Sequence, residues 1–288
     1  MPRIREIKKR MIAVRTTARI TRTMQMIATA KFTAALQRSK ASRPFVDRIR
    51  QLVAEVSSAA GDVEHPLLRG PAEPVGRELV LVIGSDRGLC GAYNSQVLRA
   101  GANLVNELRS RRVEFSLEAS GKKPLAFLRF NRIDVEVRHA VGDKPKFADI
   151  EPIAQRYIDA FTDGQYDAVR VVYMRFVSNA RQVPEVMQLL PLSVPEGSSS
   201  AGSALYEFSP SSAALLNDLL PLSVKVSLFQ AFSDAIVSEN VMRMIAMKAA
   251  TDNANGLGKA LNRQYNRARQ TRITTELTEI VGGAAAQE

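Results

Sequence analysis

The residues best placed to do chemistry lie in one short stretch, GSDRGLCG (Gly84–Gly91), directly after the apolar run ELVLVI (Glu78–Ile83). Glycines between a strand and a helix can cradle a phosphate, because they free backbone amides near a helix N-terminus. The spacing argues against this. The stretch lacks the Gly-Lys-Ser/Thr ending of a P-loop, and glycines at 84, 88 and 91 miss the first interval of GxGxxG. A tight strand-to-helix turn needs the same glycines and is the better account. Cys90, the only cysteine, could be a nucleophile, but no motif places His65 or His139 beside it. A buried small hydrophobe fits it better. Asp86–Arg87 suits a local ion pair or turn cap. No Ser/His/Asp order, carboxylate pair or metal spacing stands out, so no catalytic, cofactor or metal residue is assigned. The chain is not expected to be an enzyme by itself.

The elements around that stretch alternate in type. ELVLVI reads as a buried strand, followed by a helix over about Tyr93–Arg109 and a second strand over Val113–Ala119. A short helix near Pro124–Phe130, a third strand at Ile133–Val137 and a helix near Ile150–Phe161 come next. Tyr166–Phe176, with VRVVYMRF, is strongly strand-like, and Val183–Leu190 can pair with it as a hairpin. Strands alternating with helices indicate an α/β sheet with crossovers. Glu196–Ala204 (EGSSSAGSA) reads as a flexible loop, after which a long helix starts near Ser211.

The two ends of the chain have a different pattern. Ile4, Ile7, Met11, Val14, Ala18, Thr21, Gln25, Ala28, Phe32 and Ala35 follow alternating steps of three and four, a coiled-coil seam. Pro44 should kink or restart that helix before Ile49, Leu52, Val53 and Val56 resume it. A second seam runs through Leu228, Ala231, Ala235, Ser238, Met242, Ile245 and Ala249, then Ile273, Leu277 and Ile280. Between them its positions are polar: Asp252, Gly256, Lys259, Arg263, Asn266 and Gln270. Small residues on both seams let two helices approach closely, and a domain between them makes the pair antiparallel. A helix of about 60 residues reaches roughly 90 Å, well beyond what a globular domain needs. The expected fold is therefore α/β plus a long helical coiled coil. Antiparallel N-terminal (1–58) and C-terminal (210–286) helices flank a Rossmann-like central α/β domain (75–195).

Charge and length narrow the function. The chain has 288 residues and a net charge of +11. The first 50 residues hold 14 Lys/Arg against Glu6 and Asp47, whereas the rest hold 26 against 27 acids. Such an arm suits nucleic acid, an organelle transit peptide or an acidic protein partner. The sustained seam favours a helix already paired, and Phe32 and Phe45 are the only aromatic residues there to stack on bases. A nucleic-acid-binding protein using this basic helix remains the alternative. No run approaches the roughly 18 apolar residues of a membrane span, and the Arg-rich start lacks a signal peptide's apolar core.

Three blocks carry a family resemblance: ARITRTMQMIATAK (Ala18–Lys31), SDRGLCGAYN (Ser85–Asn94), and the C-terminal set MIAMKAATDNA, YNRARQ and ITTELTEIVGGAAA (Met244–Ala286). In type and order they resemble the gamma subunit of F-type ATP synthases from end to end. The resemblance implies a central-stalk rotor that transmits torque between the proton-driven membrane ring and a hexamer of alpha and beta subunits, without doing bond chemistry. It implies as partners the alpha and beta subunits, the epsilon subunit and the c ring, with no cofactor. It places the chain peripherally on the cytoplasmic side of a bacterial plasma membrane. Position by position, Arg269 and Gln270 match a pair that hydrogen-bonds a beta-subunit loop. Met24, Arg243, Thr274 and Glu276 match other positions of the shaft–head contact or its support. Gly256, Gly258, Arg263 and Gln264 depart from the family pattern, and its thiol-regulatory cysteine pair is absent.

Overall fold

The computed structural model describes residues 4–60, 65–70, 74–193 and 212–285. In chain order its elements are α1 (Ile4–Ala60), α2 (Pro66–Arg69), β1 (Arg77–Ile83), α3 (Tyr93–Ser110), β2 (Glu114–Ser120) and α4 (Lys122–Phe130). There follow β3 (Val137–His139), α5 (Phe147–Thr162), β4 (Ala168–Ser178), β5 (Arg181–Leu190) and α6 (Ser212–Ala285). Contacts group the chain into two units, one of residues 1–29 with 243–288 and one of residues 30–242.

The larger unit is built on a five-stranded sheet of order β3-β2-β1-β4-β5. β1 pairs in parallel with β2 and β4, β2 pairs in parallel with β3, and β5 closes an antiparallel hairpin on β4. The alternation of strand side chains splits β1 between two cores. Leu79, Leu81 and Ile83 pack with Ile150, Tyr157 and Phe161 of α5 and Leu220, Val224 and Phe232 of α6. Val80 and Val82 face Tyr93, Val97, Leu104 and Leu108 of α3. A central parallel strand covered on both faces must be apolar throughout, which is why ELVLVI shows no period-two polarity. The outcome is the expected α/β sheet with crossovers, covered on both faces.

One local expectation fails. The third strand is Val137–His139, not Ile133–Val137. Residues 131–133 close the end of α4 instead: the Asn131 amide donates to the Phe127 carbonyl and the Ile133 amide to that of Leu128. Arg132 supplies the left-handed turn at φ 55°. Ile133 and Val135 then pack against Val105, Leu117 and Leu128, so their alternation serves packing rather than pairing. At Pro44, where a kink or a restart is expected, α1 does not restart: it is one helix from Ile4 to Ala60. The amide lost there would have met the carbonyl of Lys40, an exposed residue. The expected Glu196–Ala204 loop lies outside the described residues.

The smaller unit pairs the first part of α1 with the last part of α6. The Thr21 and Thr251 hydroxyls meet at 2.7 Å. Seven residues earlier on α1, Val14 lies beside Gly258, where an added Cβ would stand 3.9 Å from its Cγ1. Gly258 is seven residues later than Thr251, so the helices are antiparallel. On α1 every expected seam residue from Ile4 to Ala35 is buried or half-buried.

The α6 seam needs correction. Beyond Met242 the buried positions are Met247, Thr251 and Leu261. With the half-buried Met244, Ala254, Gly258, Tyr265 and Ala268 they form a line in steps of three and four, flanked by half-buried Arg243, Ala246, Ala250 and Ala260. Ile245 (48% exposed) and Ala249 face outward, as do all six polar positions from Asp252 to Gln270. The physical reason lies upstream. From Ser223 to Val241 no position of α6 is exposed, so any helical phase fits that segment and none can be extrapolated from it. One 18-residue window of α6 reaches a mean hydropathy of 1.3, but 67% of it is buried inside the protein, as in a core helix.

Candidate functional site

The Gly84–Gly91 loop is consumed by its own packing. The Gly84 amide donates to the Ser120 carbonyl at 2.9 Å, and the Ser85 amide to Asn94 Oδ1 at 3.1 Å. Asp86 Oδ1 accepts from the Lys122 amide at 3.0 Å, so the carboxylate occupies the start of α4 that an anion would need. Gly121, at φ +97°, crosses the loop so closely that a Cβ would stand 2.5 Å from the Gly84 oxygen. A Cβ on Gly84 would overlap the Pro124 ring. The hollow beside the loop measures about 30 Å³ and is lined by Asp86, Asp143 and Glu239, too small and too acidic for a phosphate. These glycines serve a tight turn.

Cys90 is buried, its Sγ 3.1 Å from Asn94 Nδ2. Both histidines are engaged elsewhere. His65 Nδ1 accepts the Leu67 amide at the start of α2, and His139 Nε2 lies 2.6 Å from Glu118 Oε2. No base stands by the thiol in these bonds. Among the described residues no group of three metal-ligating side chains could hold an ion.

Sequence reasoning missed one ionisable cluster. Glu118, midway along β2 and 1% exposed, accepts from Arg156 at 2.6–2.7 Å and from the Tyr157 hydroxyl at 2.6 Å, besides His139. Burial alone would push its pKa up. The donors His139, Arg156 and Tyr157 outweigh that and bring it down to about 2. Burial and the Glu118 charge hold the Tyr157 phenol well above its usual value. Enclosed by donors, the carboxylate ties β2 to β3 and α5. A charged residue at an inward position of the apolar strand EFSLEAS was the available signal.

The surface that remains is the last part of α6. In the antiparallel register Ile4 falls opposite Ala268, so α6 from Arg269 onward has no facing helix among the described residues. Every described side chain from Arg269 to Ala284 is exposed. Ile273, Leu277, Ile280 and Val281 are apolar yet 51%, 62%, 72% and 60% exposed. At 100° per residue, Arg269, Ile273, Glu276, Leu277 and Ile280 fall on one face, with Gln270, Thr274 and Val281 along its side. The Thr274 hydroxyl donates to the Gln270 carbonyl at 3.0 Å, and Glu276 pairs with Arg272 at 2.6 Å. Both bonds are local, leaving the side chains of Arg269 and Gln270 outward.

The other two assigned residues sit apart from this segment. Met24 is half-buried beside the α1 seam, and Arg243 is half-buried on α6. Along the first part of α1, Arg5, Lys8, Lys9, Arg10, Arg15, Arg19 and Arg22 are all exposed, with Glu6 as the single acid before Lys31. The unit thus offers a cationic rod with an apolar tip, a surface for binding and not for bond chemistry.

The chain is similar to known proteins over its whole length. The family model described as "ATP synthase" matches residues 3–287. The ATP synthase gamma chain of Rhodopirellula baltica is 40% identical over 296 residues, covering 100% of both chains. That of Leptospira biflexa is 38% identical, covering 98% of each. Among solved structures, a chain of the Euglena gracilis mitochondrial ATP synthase (OSCP/F1/c-ring) superposes with a TM-score of 0.64 at 19% identity, over 99% of this chain and 94% of that one. A chain of the Tetrahymena thermophila mitochondrial ATP synthase central stalk/c-ring superposes with a TM-score of 0.57 at 22% identity, over 80% and 99%. The structural likenesses speak for the fold, and the end-to-end identity speaks for descent: this chain belongs to the ATP synthase gamma-chain family, as a non-catalytic subunit of that complex.

Proposed function

We propose that the chain is the central-stalk rotor of an F-type ATP synthase, carrying torque between the proton-driven membrane ring and the catalytic alpha/beta hexamer. The observation that carries this is the 40% identity to a gamma chain over the full length of both proteins. The antiparallel coil supports it, because torque needs a stiff element and two helices packed along a seam resist bending better than one. The division of labour follows: 1–58 and 210–286 form the shaft, and 75–195 forms the domain nearer the membrane ring. The partners are the alpha and beta subunits, the epsilon subunit and the c ring. The chain belongs to a membrane-associated complex, and we place it on the cytoplasmic side of a bacterial plasma membrane.

The head contact is assigned to Arg269, Gln270, Thr274 and Glu276, with Met24 and Arg243 supporting it lower on the shaft. The exposed apolar residues Ile273, Leu277, Ile280 and Val281 beside the first four suit a sleeve that excludes water. The cations of α1 suit acidic side chains on that sleeve. Mixing the chain with alpha and beta subunits from the same source tests the proposal. One chain per three alpha–beta pairs, with sustained Mg-ATP hydrolysis that the chain alone lacks, is expected. Failure to assemble, with salt-sensitive nucleic-acid binding instead, would overturn it.

A further inference from the structure

We propose that the cleft bounded by the second half of α1, the β4–β5 hairpin and the early part of α6 binds a small zwitterion of the ω-amino acid type, ammonium inward. This does not rest on the rotor assignment. The cleft encloses about 380 Å³, within the range of small-ligand sites. Its floor is a polar stripe on α6: Ser223, Ser227, Gln230 and Asp234 recur at helical spacing, and all are buried. A helix face turned toward a core would carry apolar residues there.

The donors on that floor do not balance the acceptors. Gln230 Nε2 donates to Asp234 Oδ1 at 2.7 Å and to Ser39 Oγ at 3.3 Å. The Ser39 hydroxyl reaches the same Asp234 oxygen at 3.5 Å. Gln230 Oε1 is buried and receives no hydrogen bond. No described cation lies within ion-pair distance of Asp234. Arg43 acts on it only through its longer-range field, against that of Glu185. A buried carboxylate without a cation and a buried amide oxygen without a donor are both costly. One ammonium group, with three donors and a positive charge, would serve both.

The mouth has the opposite sign. Arg43 and Arg50 are exposed, two turns apart on α1, and Arg50 makes one weak contact, to Ser227 Oγ at 3.3 Å. Asp47 lies between them, and Arg175 is taken by Glu185 at 2.9 Å, which leaves the mouth with a net positive charge. A plain amine or diamine gains nothing at those arginines, whereas a carboxylate does. Val46, Val53, Met187 and Leu189 also line the cleft. The lining thus offers partners for an ammonium, an apolar spacer and an anion.

Calorimetric titration of the full-length chain with 6-aminohexanoate, hexylamine and hexanoate tests this. Saturable one-to-one binding of 6-aminohexanoate is expected, with each monofunctional probe about tenfold weaker or more. Asp234→Asn should abolish that binding while raising the melting temperature of the free chain, because it removes an unpaired buried charge at constant size. Arg43→Gln with Arg50→Gln should reduce 6-aminohexanoate to the affinity of hexylamine. The proposal is overturned by no saturable binding, by equal binding of hexylamine, or by unchanged binding in Asp234→Asn. A lower melting temperature for Asp234→Asn also overturns it, since the carboxylate would then be served from within the fold.

Discussion

Glu118 and Arg269 are both charged, and what separates them is what surrounds each. Glu118 is enclosed by donors whose joint effect holds its pKa near 2, below the ordinary carboxylate value of 4.5. The unfolded chain then binds more protons between those values, so the contribution is complete above pH 4.5 and is lost as pH falls toward 2. Across that window urea unfolding should show the Glu118 share disappear, on the order of 3 kcal/mol. Glu118→Gln takes the charged acceptor from the buried Tyr157 hydroxyl and His139 ring, while Arg156 is solvated, and should cost about 1–3 kcal/mol at pH 7, with a flatter acid limb. Arg269 has no such surroundings: it is exposed, as is Gln270. Their double replacement by Ala should leave the melting temperature of the free chain unchanged. In the reconstituted complex it should lower coupled ATP hydrolysis about tenfold, the loss of one hot-spot contact. A double mutant that assembles and couples normally would withdraw the assignment of that pair.

Helices and strands were legible to different degrees. On α1 the seam could be read residue by residue, because most inward positions are flanked by exposed ones and the period is visible. On α6 the period disappears where the helix is covered on all sides, and the phase beyond Met242 could only come from the partner helix. The corrected seam has measurable consequences. Leu261→Ala, at a position 7% exposed, should destabilise by about 2–3 kcal/mol, whereas Ile245→Ala, 48% exposed, should cost under about 0.5 kcal/mol. Equal losses from the two would restore the original phase. Gly256 meets nothing within 4 Å and is exposed, so its helix cost has no packing return. Gly256→Ala should therefore stabilise by roughly 1 kcal/mol, read as a higher melting temperature.

Taken as one molecule, the chain places its chemistry-bearing residues in structural roles and leaves an exposed apolar surface at a helix end. Residues 269–285 extend α6 by about 25 Å past the last facing turn of α1. Truncation after Ala268 should leave the unfolding of the isolated chain nearly unaltered, since no described side chain it removes is buried. The same truncation should weaken assembly with alpha and beta subunits, seen as a smaller yield of complex on size-exclusion chromatography. An undiminished yield would mean that the apolar tip is not used.

The sequence by itself determined the α/β class, the antiparallel rods and the family. Each of these follows from local pattern: an unbroken apolar run for a two-sided strand, three-and-four spacing for a seam, motifs in order along the chain. Tertiary structure alone decided the phase of α6, the passage of α1 through Pro44 and the place of β3. It alone brought Glu118 to His139, Arg156 and Tyr157, and set Gln230 and Asp234 facing a cleft. Those outcomes depend on which neighbour covers a residue. A neighbour distant in sequence leaves no period to read.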